Sequence, residues 1–271
     1  MSVFEQSSFQ CRVEWGRRGA REAAKRGDIT IIVDVLSFSS TVVTALHVGA
    51  EIFPYPPPLN EKAKAYAHQL DAELMLSRAE ATKMGKHSLS PVTFSHADQG
   101  KRFVLCSLNG ASCAWIASKV SALFIGCLLN AAAVAEAANL IQKQTGANIK
   151  IVPCGEHWED PKEDENELRP AIEDYLGAGA IIEKLQGSKS VEAQLCMGAF
   201  QYAKSNLNEF IWDCGSGREL RERGFAEDVT HSASLNLLQV VPFLQNDRFV
   251  NFIPLFVGSK ADWQEISISG S

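Results

Sequence analysis

Apolar residues along this chain fall into short β-branched runs that alternate with stretches of helical period. The run "DITIIVDVL" (28–36) predicts a buried strand, and "SSTVVTALHVG" behind it predicts a helix that stops near Gly49. "AEIFPYP" (50–56) predicts a strand ended by "PPPLN", and "NEKAKAYAHQL" (60–70) predicts an amphipathic helix. The unit recurs. "KRFVLCSL" (101–108) predicts a strand, "NG" a break and "ASCAWIASKV" a helix. "SALFIGCLLN" (121–130) predicts a strand that runs into the Ala-rich helix "AAAVAEAANLIQKQ". "NIKIVPCG" (148–155) predicts a strand, followed by a long charged loop and the helix "PAIEDYLGAGAIIEKL" (170–185). In the tail, "SGRELRERG" (216–224) and "FAEDVTHSASLNLL" predict helices, and "VVPFLQNDRFVNFIPLFV" predicts two strands turning at Asn246 and Asp247. Strands alternating with helices imply a layered α/β fold with a largely parallel sheet, made mixed by an antiparallel pair at its edge. No repeat or linker divides residues 1–271, which read as one domain or two closely fused lobes.

Composition narrows the function classes. The chain has 271 residues, 46% of them hydrophobic, which suffices for a large core. Its net charge of −6 argues against nucleic acid or an anionic membrane surface as the main partner. No apolar run reaches membrane-spanning length, and "MSVFEQSSFQC" has neither a charged leader region nor an apolar one, so a soluble, cytoplasmic protein is expected. Seven cysteines, none in a CxxC pair, sit mostly in apolar surroundings and read as buried reduced thiols.

In α/β sheets the ligand site forms where strands end and helices begin. Four such ends carry polar groups: Asp34 with Ser37, Ser39, Ser40 and Thr41; Ser107, Asn109, Gly110 and Ser112; Asn130; and Gly155, Glu156 and His157, with Arg169, Glu173 and Asp174 at the next helix start. Helix starts with hydroxyls and glycine suit phosphate oxygens, and the four carboxylates suit Mg²⁺. Together they point to metal-assisted chemistry on a small phosphorylated molecule. Each group taken singly has an ordinary reading. Ser39, Ser40 and Thr41 cap a helix, "NG" marks a turn, "EDPKEDENE" is a solvated loop, and the basic run from Arg12 to Arg26 is a solvated helix face. Asp34 has no such reading, because a carboxylate closing a dry strand is costly unless paired, hydrogen-bonded or metal-bound.

The motifs, in order, resemble the 2-phosphosulfolactate phosphatase family, the Mg²⁺-dependent phosphatases of coenzyme M biosynthesis often called ComB. They are "DVLSFSST" (34–41), "SRAE" (77–80), "SLSPVTF" (88–94), "SLNGAS" (107–112), "PCGE" (153–156), "AIEDYLGAGAII" (171–182), "LRERGFAEDV" (220–229) and "VVPF" (240–243). The resemblance implies a three-layer α/β/α fold with a mixed, largely parallel sheet. Departures stand beside it. Ser37 replaces the family's arginine after D-V-L, Leu76 and Ser77 replace the Gly-Glu before Arg78, and Ala111 replaces the last threonine of T-N-G-T. The chain is similar to a branch of bacterial sequences that carry D-V-L-S-F.

The activity so implied is Mg²⁺-dependent hydrolysis of a small phosphorylated hydroxy acid, 2-phosphosulfolactate or a related phosphomonoester. Asp34, Glu173 and Asp174 are expected to be catalytic, and Asp34, Glu156 and Asp174 to hold the metal. Ser39, Ser40, Thr41, Arg78, Asn109, Gly110 and Arg169 are expected to bind the phosphorylated anion. Loss of the arginine at position 37 removes one anion contact, so a substrate without the sulfonate is a second reading. A metabolite-binding protein of the same fold without turnover is a third. Whether the chain works as a homodimer is left open.

Overall fold

The computed structural model describes residues 3–158, 160, 162 and 167–253. The chain begins with strand β1 (Cys11–Val13), helix α1 (Gly16–Arg26) and strand β2 (Ile29–Val33), the last buried over its whole length. Next come α2 (Phe38–His47), β3 (Glu51–Tyr55), α3 (Glu61–Gln69), β4 (Glu73–Leu74) and α4 (Arg78–Met84). Two further strand–helix units are β5 (Arg102–Cys106) with α5 (Gly110–Ile116), and β6 (Leu123–Gly126) with α6 (Ala131–Thr145). β7 (Ile149–Pro153) leads into an antiparallel pair of two-residue strands, β8 (Glu156–His157) and β9 (Leu168–Arg169). A helical stretch follows: α7 (Ile172–Lys184), α8 (Val191–Ala203), α9 (Leu207–Asp213), α10 (Gly215–Glu222) and α11 (Ala226–Ser232). β10 (Pro242–Gln245) and β11 (Arg248–Asn251) close the described chain.

Successive strand residues point to opposite faces, and both faces are dry. Ile29, Ile31 and Val33 pack with Val134, Ala138, Ile181 and Cys196 on one side. Ile32 packs with Ala20, Phe38, Val42 and Ala111 on the other. Helices α6, α7 and α8 therefore form one layer and α1, α2 and α5 the opposite one, giving a three-layer α/β/α fold.

The nine-stranded sheet has the order β1-β7-β2-β6-β10-β11-β3-β5-β4. β1, β7, β2 and β6 are mutually parallel, as are β3, β5 and β4. The β10–β11 hairpin joins these two parallel halves, antiparallel to its neighbour on each side. Each of those seams is a single residue pair, Phe243 with Phe124 and Phe249 with Ile52. β5 consequently runs opposite to β2. Sheet twist of roughly 20–25° per strand interval, accumulated over five intervals, turns β5 by about a right angle. That rotation lets the carboxyl end of β5 approach that of β2.

Two sequence expectations change here. The tail hairpin lies inside the sheet rather than at its edge, because Phe249 is buried against Phe38 at 6.0 Å and half-buried Phe243 packs on Phe124 at 5.3 Å. Asn246 and Asp247 form its turn, both at positive φ (51° and 61°), as a two-residue type I′ connection requires. The helix expected over 225–238 stops at Ser232. Beyond it the Asn236 and Leu238 N–H groups donate to the carbonyls of Leu128 and Leu129, and Asn236 Oδ1 accepts from Ala132 N–H, capping α6 from outside. β1, β4, α4, α8 and α9 were not expected from the sequence pattern. Part of the charged stretch (159, 161 and 163–166) and the end of the second tail strand lie outside the described residues. Six of the seven free cysteines are buried and Cys106 is half-buried. Among the described residues no helix is long and apolar enough to cross a membrane.

Candidate active site

β2 is dry through Val33, and the next residue supplies a carboxylate. Asp34 Oδ1 accepts the Phe38 N–H of α2 at 3.2 Å, and Oδ2 accepts the Gly110 N–H of α5 at 3.0 Å. One carboxylate thus ties together the starts of two helices, where unpaired N–H groups and the dipole favour negative charge. A glycine is needed at 110, because a Cβ there would lie 2.3 Å from the Phe38 ring. Burial, and after it the neighbouring Glu173, raise the Asp34 pKa to about 6 against the lowering effect of those two N–H bonds.

Asp174 repeats the device. Its Oδ1 accepts Val35 N–H at 2.7 Å and its Oδ2 accepts Gly155 N–H at 2.9 Å, so the first turn of α7 is pinned to the ends of β2 and β7. Gly155 sits at φ +70°, and a Cβ there would lie 2.8 Å from Leu168. Burial, then Asp34 and Glu173, hold the Asp174 pKa well above the usual carboxylate range. Glu173 is itself buried beside them.

Glu156 opens β8 directly opposite Arg169 of β9. Its Oε2 accepts Asn109 Nδ2 at 2.9 Å, which joins the end of β5 to that of β7. Burial, then Asp34 and Glu173, push Glu156 up to about 7. Asn109 Oδ1 is buried with no hydrogen-bond partner among the described residues.

Four carboxylates from three segments thus crowd one end of the sheet, and they resist ionising together. The donors are all hard oxygens, with an unpartnered amide oxygen among them, which is the chemistry of a Mg²⁺ site. Among the described residues no three His, Cys, Asp or Glu side chains already stand in a metal-holding arrangement. Asp34 and Asp174 are held by backbone N–H groups, so rotation of the Glu156 and Glu173 side chains is what closure on an ion would take.

The remaining expected residues divide. Ser39 Oγ accepts Asp34 N–H at 2.9 Å, Ser40 Oγ donates to the Val35 carbonyl at 2.7 Å, and Thr41 Oγ1 has no partner among the described residues. All three are fully buried and present no surface to a ligand, and the Ser39 and Ser40 hydroxyls brace the turn after β2. Asn130 is likewise spent on backbone, accepting from Cys127 and donating to Ile125 and Val240. Arg78 is buried and within reach of Asp34's field. Its Nε donates to Asp228 Oδ2 at 3.3 Å, Nη1 to Ser37 Oγ at 3.4 Å and Nη2 to the Leu89 carbonyl. Arg169 lies over the Trp158 ring at 5.5 Å and against Gly215, at the edge of the cluster.

Two groups were missed. Asp228 accepts both Arg78 and Ser90, the latter at 2.6 Å, and its signal was the final Asp of the stretch 220–229. Arg17 and Arg18, read as solvated, line a cavity of about 360 Å³ together with Trp15, Asn109, Cys154 and His157. A larger hollow of about 560 Å³, lined by Asp71, Glu73, Lys101 and Arg102, lies at the β4–β5 edge away from the carboxylates and shares none of these residues.

The family model described as 2-phosphosulpholactate phosphatase matches residues 18–247. A "Probable 2-phosphosulfolactate phosphatase" of Carboxydothermus hydrogenoformans is 30% identical over 81% of this chain and 88% of its own length. The 2-phosphosulfolactate phosphatases of Methanothermobacter thermautotrophicus and Methanocaldococcus jannaschii are 28% and 23% identical, over 84% and 83% of this chain and 91% and 92% of theirs. A match that runs from the second arginine of α1 to the turn of the tail hairpin covers every segment that supplies the carboxylate cluster, and the chain belongs to the 2-phosphosulfolactate phosphatase family.

Proposed function

We propose that this chain is a Mg²⁺-dependent phosphatase that hydrolyses a small phosphorylated hydroxy acid, 2-phosphosulfolactate or a close relative of it. The observation that carries this reading is the cluster of buried Asp34, Glu173 and Asp174 with half-buried Glu156 beside them, with raised pKa values at Asp34, Glu156 and Asp174. So much negative charge repels a phosphomonoester unless a cation stands between them. Asp34, Glu156 and Asp174 would hold Mg²⁺, with Asn109 Oδ1 as a neutral donor. When bound, the ion supplies the positive charge that admits a phosphoryl group and polarises its oxygens. Asp34 and Asp174 are oriented in advance, since each spends both oxygens on backbone N–H groups and keeps further lone pairs free. Glu173 is the carboxylate left to orient a water and accept its proton. Arg78, anchored on Asp228, faces the cluster from the α4 side and offsets charge there.

Ser37 favours a second reading of the substrate. A guanidinium at that position would offer a planar fork to an oxyanion, and the serine hydroxyl is instead turned to the Leu36 carbonyl. A phosphorylated acid without the sulfonate suits that change. Phosphate release from 2-phosphosulfolactate, 2-phospholactate and 2-phosphoglycerate, with Mg²⁺ and with a chelator, tests both readings. Mg²⁺-dependent turnover of at least one ester is expected. Turnover unaffected by chelation would remove the metal from the mechanism, and none on any ester would leave a binding protein.

A further inference from the structure

We propose that the cavity beside the carboxylate cluster is a second anion subsite, in which Arg17, seconded by Arg18, grips the acid group of the substrate. The inference rests on the phosphatase reading for what binds there, but not for the existence of the site.

Asn109 is common to the two places: it lines the cavity and donates to Glu156. Cys154, on the cavity floor, lies within the fields of Asp34 and Asp174. A ligand in the cavity is therefore next to the cluster. Arg17 Nη2 donates to the Leu108 carbonyl at 3.2 Å, which parks the guanidinium one residue before Asn109. That bond uses one of five N–H donors, and Arg17 has no carboxylate partner among the described residues. Arg18 is bound to Glu22 at 2.9 Å and is largely exposed, so it contributes mainly charge. The acidic wall residue, Glu167, is turned to His157 at 3.6 Å.

The support of this wall is shared with the catalytic side. Trp15 stacks on Tyr175 at a centroid distance of 5.8 Å, and Tyr175 follows Asp174 in α7. The turn that carries Arg17 is thereby packed against the turn that carries the carboxylates. A volume of about 360 Å³ suits an acid of a few carbons. The charge absent at Ser37 reappears across the site, from residues at or before the first position of the family match, residue 18. A planar fork that is partly pre-oriented is well matched to carboxylate or sulfonate.

The test compares the intact protein with Arg17→Ala, and with Arg21→Ala as an exposed control of equal charge loss on the same helix. Phosphate release is followed from isopropyl phosphate, 2-phospholactate and 2-phosphosulfolactate, and binding of sulfoacetate, which carries no phosphate, by calorimetry. Arg17→Ala is expected to raise KM for the two acid esters by about tenfold, the loss of one charge-assisted bond, with their kcat and the turnover of isopropyl phosphate, which lacks the second acid group, unchanged. It should weaken sulfoacetate binding by a similar factor, and Arg17→Lys should restore part of both. A larger loss on 2-phosphosulfolactate assigns the sulfonate to Arg17, and an equal loss assigns the carboxylate. Equal effects on all three esters, no effect on any, or sulfoacetate binding that is absent or insensitive to Arg17 would overturn the subsite. If the wild-type protein hydrolyses no ester yet binds sulfoacetate through Arg17, the phosphatase reading fails and the subsite stands.

Discussion

Asp34 shows how one residue can be structural and chemical together. Its two oxygens hold the starts of α2 and α5, and the same burial that makes those bonds strong keeps the carboxylate from ionising easily. Asp34→Asn separates the two roles. The amide keeps one acceptor and sheds the cost of a buried charge, so the metal-free melting temperature should stay within a few degrees of wild type. Phosphate release should fall by on the order of a hundredfold or more. The rise in melting temperature on adding Mg²⁺ should vanish with it. A variant that kept full turnover and the Mg²⁺ response would take Asp34 out of the metal site. Gly110→Ala probes the same junction from the other side. Its methyl would meet the Phe38 ring at 2.3 Å, and overpacking of that kind costs about 1–3 kcal/mol, readable as a lower urea midpoint. An unchanged midpoint would mean that α5 shifts freely, and that its hold on Asp34 is loose.

Between elements, a buried polar junction is built on Arg78. Helix α4 starts with this residue, α11 supplies Asp228, and Ser90 at the turn before Pro91 completes the set. Phe225, just before α11, covers the guanidinium at 5.4 Å. The side chains of Arg78 and Asp228 are 8% and 2% exposed, so removing one partner strands the other. Asp228→Ala should cost about 3–5 kcal/mol in urea unfolding, while joint replacement of Arg78 and Asp228 by apolar residues of similar volume should cost much less. Equal costs for the single and double variants would show that packing, not the stranded charge, sets the penalty. In the sequence this junction was visible only in pieces. Arg78 stood out through its motif, whereas α4, seven residues long, has too short a period to detect. α8 escaped for a different reason: Val191, Leu195 and Tyr202 leave its outer side apolar and exposed, so no polar face marks it as a surface helix.

At the scale of the whole molecule, the strands and the order of their polar ends were legible, because dry β-branched runs have few alternative folds. What local pattern could not show was which ends meet. Three of the four polar ends converge, at β2, β5 and β7, while the one after β6 is consumed by its own backbone. That outcome depends on the hairpin inserted between two parallel halves and on the twist summed across it, both properties of the assembled sheet. The same assembly explains a charge the sequence could not place. Lys150 stands in β7 between Arg12 of β1 and Thr30 of β2, almost fully buried, with Asp28 and Glu14 as its nearest compensation. Burial, then Arg12, lower its pKa from 10.5 to about 8. Between those two values the unfolded chain keeps a proton that the native chain has released, so this group makes stability rise with pH. Below about pH 8 the native state carries the full cost of the buried ammonium, on the order of 3 kcal/mol at most. Lys150→Met removes that dependence and leaves the rest of the titration in place. Its melting temperature relative to wild type should therefore be highest near pH 7 and decline steadily toward pH 10, whatever packing change the methionine brings. A difference that stays constant across that range would mean Lys150 reaches solvent, and that the β1 edge of the sheet opens far more readily than its packing implies.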